Sequence, residues 1–150
     1  MFLDLKQLKR SGKDRQDFFF EYDIPSDLSD IPNVKVVSPV NVTGEIVLTG
    51  EHSAYIGCEV DFGVSGECTR CLTETARRFT VDVEEEAEEN NADGYSVVND
   101  RIDLGKIVED AILTNLPFNF LCKEDCKGIC PHCGVNLNEE DCKCKIEQGR

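Results

Sequence analysis

Val40-Asn41-Val42-Thr43-Gly44-Glu45-Ile46-Val47-Leu48-Thr49, then Gly50-Glu51-His52-Ser53, then Ala54-Tyr55-Ile56-Gly57-Cys58-Glu59-Val60-Asp61-Phe62-Gly63-Val64, is the stretch that decides the fold. Val40, Val42, Ile46 and Leu48 fall on even positions, with Asn41, Thr43, Glu45 and Thr49 between them. After the turn-forming residues 50–53, Ala54, Ile56, Cys58, Val60, Phe62 and Val64 keep the even positions. Period-two alternation sets one face on a core and one in water. Two such runs joined by a short turn predict an antiparallel hairpin.

Working outward, Phe79, Val81 and Val83 start a third alternating series, and Asp17-Phe18-Phe19-Phe20-Glu21-Tyr22-Asp23-Ile24 reads as an aromatic strand. Residues 3–10, with Leu3, Leu5 and Leu8 apolar, are expected to form a short helix that Gly12 interrupts. Pro25 to Pro32 is turn-rich, and the alternation is clean after Pro39. Leu104, Ile107, Val108, Ala111 and Ile112 follow i, i+3, i+4, i+7, i+8 spacing, with Asp103 as N-cap and Pro117 past the end. The helix is expected near 103–115, its apolar stripe on the sheet. The expected class is α+β: an antiparallel β meander or barrel-like sheet with one packed helix and a C-terminal zinc-knuckle tail. Residues 1–121 form the β-rich domain in this reading and 122–150 the Cys-rich zinc-binding tail. No internal repeat is evident.

The chain has 150 residues, 16 Lys+Arg against 30 Asp+Glu, and a formal net charge of −14. Residues 24–100 carry four basic and sixteen acidic side chains, while residues 1–23 carry five of each. Asp82 to Asp100 holds eight acidic residues and no basic one. Such a run reads as a solvated, partly disordered loop, or as an acidic arm for a basic partner. Broad attraction to nucleic-acid phosphate is excluded for the acidic middle. Basic clusters at the ends (Lys6, Lys9, Arg10, Lys13, Arg15; Lys123, Lys127, Lys143, Lys145) are the candidates for RNA contact. No apolar run approaches the ~20 residues of a membrane helix. The start, Met1-Phe2-Leu3-Asp4-Leu5-Lys6, has charges where a signal peptide is apolar, so a cytoplasmic protein is expected.

Nine cysteines in such a chain point to metal or redox chemistry rather than to a disulfide framework. Cys58 lies on the apolar face of a strand and reads as a small buried hydrophobe. The other eight fall in pairs: Cys68/Cys71, Cys122/Cys126, Cys130/Cys133 and Cys142/Cys144. Cys130-Pro131-His132-Cys133-Gly134 has the Pro and Gly of a zinc knuckle. Zinc takes four soft ligands in a tetrahedron, commonly as two short-range pairs. Pairing neighbours makes Cys130, Cys133, Cys142 and Cys144 one site and Cys68, Cys71, Cys122 and Cys126 the second. Spacing alone also allows Cys126 to replace Cys142 or Cys144, so one or two structural zinc ions per chain are expected. Joint ligation by Cys142 and Cys144, one residue apart, is strained. A thiol–disulfide motif sits where a strand enters a helix, and no helix pattern follows Cys71. His52 and His132 lack a triad arrangement, and no phosphate- or dinucleotide-binding glycine pattern occurs. No enzyme is expected and no small-molecule substrate.

The segments Gly66-Glu67-Cys68-Thr69-Arg70-Cys71-Leu72, Ile102-Asp103-Leu104, Leu116-Pro117 and the tail from Cys122 through Cys126, Cys130-Pro131-His132-Cys133-Gly134 to Asn138 together resemble the YceD family. The resemblance covers about two thirds of the chain. It implies a cytoplasmic, bacterial, non-enzymatic role in synthesis, processing or stability of 23S ribosomal RNA and large-subunit ribosome biogenesis. It supplies no catalytic residue. A ribosomal protein or a pre-ribosomal particle is the expected partner, with rRNA contact at the basic ends. The competing reading is a zinc- or redox-responsive protein-binding adaptor without a ribosomal role.

Overall fold

A computed structural model describes residues 1–144. The chain runs β1 (Phe2–Asp4), α1 (Leu5–Arg10), β2 (Arg15–Tyr22), β3 (Val34–Gly50), β4 (Ser53–Glu67), β5 (Glu74–Glu89), β6 (Tyr95–Val97), β7 (Arg101–Asp103) and α2 (Leu104–Asn115). Strands β2 to β5 form the expected antiparallel meander, in the order β2-β3-β4-β5-β6. The central hairpin registers Val42 on Val60 and Ile46 on Ile56, so the even positions of both strands share one face. On that face Val42, Ile56, Val60 and Phe62 are fully buried. Gly44 is where β3 and β4 touch: an added Cβ would lie 2.2 Å from the Gly57 carbonyl oxygen.

Four features depart from the sequence reading. The sheet is open rather than barrel-like: β2 and β6 are its edges, and no described strand joins them. The last pairing, β5 with β6, is parallel. Strand β3 begins at Val34, ahead of Pro39; the register shift between Val37 and Asn41 accommodates Pro39, which has no N–H for the ladder. The acidic run is not a loop over its first half. Asp82 to Glu89 lies within β5, registered on β4, with Val83 and Ala87 buried and every glutamate exposed.

A second, two-stranded sheet was not legible in the sequence. Strands β1 and β7 pair antiparallel with Leu3 opposite Ile102. Each leads straight into a helix, and its terminal aspartate is the N-cap. Asp4 accepts from the Lys6 amide at 2.9 Å, and Asp103 accepts from the Lys106 amide at 3.1 Å. Leu3-Asp4-Leu5 and Ile102-Asp103-Leu104 thus play the same part twice, an echo too short to read as a repeat. Helix α2 contributes Leu104, Ile107, Val108 and Ile112 to the main core, alongside Leu5 and Leu8 of α1. Beyond α2, Leu116 and Phe120 return to that core. No helix among the described residues is long and apolar enough to cross a membrane.

Candidate metal centre

The β4–β5 connection and the chain after α2 supply the chemistry. Cys68 amide donates to the Thr73 carbonyl and Leu72 amide to the Cys68 carbonyl, both at 2.9 Å. Sixty-two positions later the pattern recurs: Cys130 amide donates to the Val135 carbonyl and Gly134 amide to the Cys130 carbonyl, again at 2.9 Å. The residue after the second cysteine is left-handed in both turns, Leu72 at φ 60° and Gly134 at φ 74°. Cys68-Thr69-Arg70-Cys71 and Cys130-Pro131-His132-Cys133 are therefore the same turn built twice. Such a turn aims two sulfurs at one point and directs backbone N–H groups at them.

Two thiol tetrads result. Cys68, Cys71, Cys122 and Cys126 place their sulfurs within 4.8 Å of one another, as do Cys130, Cys133, Cys142 and Cys144. Cys68–Cys126 and Cys71–Cys122 sulfurs are 3.6 Å apart. In the second tetrad Cys133–Cys142 is 3.8 Å, Cys130–Cys144 3.9 Å and Cys130–Cys142 3.1 Å. A disulfide needs ~2.05 Å. Four sulfurs bound at ~2.3 Å to a tetrahedral ion stand about 3.8 Å apart. The spacings and the soft donor set are compatible with a metal ion in each tetrad.

The surroundings of the two tetrads differ. Cys68, Cys71 and Cys126 are buried in a small core of their own, with Leu121, Cys122 and Ile129 packed on it. The Thr69 amide donates to the Phe120 carbonyl at 2.8 Å and the Arg70 guanidinium to the Cys126 carbonyl at 3.0 Å. This inner tetrad ties the end of the β4–β5 hairpin to the chain beyond α2. In the outer tetrad Cys133 is exposed and Cys142 and Cys144 are half-buried. The Cys144 amide donates to the Cys142 sulfur at 3.3 Å, so the one-residue spacing folds back within the site.

The thiols do not ionise alike. Burial opposes charge on Cys68, yet amides of Cys71, Cys122 and Arg70 outweigh it and hold the thiol down at about 6. Cys130, facing the Cys133 and His132 amides, is likewise held at about 6. Burial and neighbouring sulfurs push Cys122 up to about 12, and the Cys142 and Cys133 sulfurs do the same to Cys144. Cys126, in the same tetrad as Cys68, is held down too, by the Asn138 side chain and the Gly128 amide; a cation would stabilise the remaining thiols of each tetrad as thiolates. Cys58, by contrast, is pushed up to about 11 by burial and takes part in neither tetrad.

Sequence reasoning missed the residues that join the two centres. Asn138 donates from Nδ2 to the Cys126 sulfur at 3.4 Å, and its Oδ1 accepts from the Lys127 amide at 2.9 Å. Asn136 donates to the Thr73 hydroxyl at 3.3 Å, and the Leu137 amide to the Gly128 carbonyl at 2.9 Å. The loop after the outer turn therefore returns to brace the inner tetrad.

The sequence matches the family described as large ribosomal RNA subunit accumulation protein YceD over residues 56–150, which includes all eight paired cysteines. The chain belongs to the YceD family. An uncharacterized protein of Mycobacterium tuberculosis is 39% identical over 85 residues, 50% of this chain and 41% of that protein. The chain thus spans about two fifths of that relative's length. Uncharacterized protein YlbN of Bacillus subtilis is 27% identical over 146 residues, covering 85% of this chain and 82% of the relative. A chloroplastic protein of Arabidopsis thaliana named large ribosomal RNA subunit accumulation protein YCED homolog 1 is 36% identical over 47 residues, 31% of this chain and 15% of its own. No solved structure matches the chain.

The description of that family concerns accumulation of large-subunit ribosomal RNA. The candidate RNA-contacting lysines divide by environment. Lys9 donates to Asp100 at 3.1 Å and Arg15 is paired with Glu45, so part of the N-terminal cluster is neutralised within the fold. Lys123, Lys127 and Lys143, around the thiol centres, are exposed. Lys145 lies outside the described residues.

Proposed function

We propose that this YceD-family chain acts, without catalysing a reaction, in the synthesis, processing or stability of large-subunit ribosomal RNA in the bacterial cytoplasm. In this reading both thiol tetrads hold structural zinc. The observation that carries it is the pair of congruent thiol turns inside the region matched by a family described by large ribosomal RNA accumulation. Zinc would supply two positive charges to each set of thiolates and fix a segment with few apolar residues of its own. The acidic sheet repels phosphate, so RNA contact is assigned to Lys123, Lys127 and Lys143, and the body to a basic protein of the pre-ribosomal particle.

A pulldown of the full chain from its own cells, with RNase-treated and untreated arms, tests this. Large-subunit proteins and 23S rRNA precursor in the untreated arm are the expected result. Ribosomal components absent from both arms would overturn it. Purified protein that cleaves or modifies pre-rRNA unaided would overturn the non-enzymatic part. The exposure of Cys133 favours one second reading, a redox-responsive adaptor, which predicts rapid reversible disulfide formation and no ribosomal material in either arm.

A further inference from the structure

Strand β5 is paired with β4 along its whole length, but on its other side it meets β6 only at Ala87–Glu89. Over Glu74–Glu86 no described strand pairs with that second edge, and among the described residues none of the backbone hydrogen bonds outside the ladders involves residues 79–86. Alternate residues there present N–H and C=O groups outward, the template on which an extended chain can be added.

The space beside this edge is shaped and charged. A groove of about 260 Å³ lies between β5 and α2. Val81, Val83 and Ile107 line it with apolar surface, and Glu84, Glu85 and Asp110 bring carboxylates to it; among the described residues no Lys or Arg lines it. The two cations of the strand are engaged elsewhere: Arg78 with Asp61 at 2.7 Å, Arg77 with the Leu121 carbonyl at 3.4 Å. Strand parity sends Asp82, Glu84 and Glu86 to the outer face and Val81 and Val83 toward α2.

We propose that the free edge of β5 captures, as an added strand, an extended protein segment in which Lys or Arg alternates with apolar residues. Main-chain hydrogen bonds to residues 79–86 supply affinity. Cationic side chains meet Asp82, Glu84 and Glu86, and the apolar ones enter the groove against Val81, Val83 and Ile107. A second copy of this chain is disfavoured at the same edge, because it would set like charges opposite one another. This deepens the reading above by naming what the acidic body recognises in its basic partner.

The test uses the zinc-loaded full chain and an alternating Lys-Val ten-residue peptide, blocked at both ends, with an alternating Glu-Val peptide as control. Amide shifts and hydrogen exchange of the chain are followed during titration. Slowed exchange confined to residues 79–86 and the α2 groove is expected, with no response to the Glu-Val peptide. The double variant Asp82→Lys/Glu84→Lys is expected to weaken binding at least tenfold, and Asp17→Lys/Glu21→Lys on β2 to leave it within twofold. Shifts spread over the outer sheet face with unprotected edge amides would overturn the proposal. So would equal losses in both variants, no binding, or edge protection that appears by dimerisation without peptide. No ribosomal component is present, so peptide binding alongside an empty pulldown sinks the ribosomal reading alone. A ribosomal pulldown without edge binding sinks this one alone.

Discussion

Leu72 and Gly134 hold the same place in the two thiol turns, both with positive φ. A left-handed conformation costs a non-glycine residue ~1–2 kcal/mol, and glycine loses ~0.5–1 kcal/mol of unfolded-state freedom in exchange. Leu72 is 57% exposed and so has little packing to lose. Leu72→Gly should leave stability unchanged or raise it by up to about 1 kcal/mol, and Leu72→Val should lower it by about 1 kcal/mol. Urea unfolding of the two variants checks this; a clear loss in Leu72→Gly would show that the side chain packs. Pair spacing shows which thiols share a turn, because a turn of two intervening residues is a local device, but it leaves open which pairs share a tetrad. Asn138 could not be inferred from spacing. It lies 12 residues from Cys126, and only the folded-back loop brings its amide to that sulfur.

At the scale of elements, β3, β4 and α2 were legible because a continuous apolar face imposes its period on the sequence. Strand β5 was legible only in part. Past Val83 its inward positions are Glu85 and Ala87, and a glutamate-rich run argues against a strand by propensity. Registry on β4 overrides propensity there. Strands β1, β6 and β7 have three residues each, too few to show a period. Helix α2 is held to the sheet by two tyrosines as well as by its apolar stripe. Tyr22 of β2 donates to Glu109, and Tyr95 of β6 donates to Asp110 at 3.0 Å. The Glu109 hydrogen bond, with burial, pushes Tyr22 from 10.0 up to about 12. The protonated form is the one the fold favours, so this contribution is complete below pH 10 and is lost as pH rises to about 12. Denaturation midpoints followed from pH 9 to 12 should fall for the wild type and fall less for Tyr22→Phe, which should also cost about 1 kcal/mol at neutral pH. Identical pH profiles would remove Tyr22 from the α2 contact.

For the whole molecule, the open sheet and α2 form one core, and the thiol centres form a smaller one attached to the end of the β4–β5 hairpin. Chelation should therefore act in two stages. The outer tetrad, with Cys133 exposed, should lose its ion first, and the buried inner tetrad later. Hydrogen exchange should show residues 122–144 losing protection while β3 and β4 keep theirs. Loss of sheet protection at the same rate would mean that the metal holds the main core as well. The charge does not follow the same division: around the thiols the exposed Lys123, Lys127 and Lys143 are interspersed with the exposed Glu124, Asp125, Glu139, Glu140 and Asp141.

The most direct measurement of the two-centre account is native mass spectrometry of the full chain, purified without chelator or oxidant. Two zinc ions per chain are predicted for the wild type, and one each for Cys126→Ser and for Cys133→Ser. A metal-free mass with eight reactive thiols, or a mass lowered by disulfide formation, would contradict it.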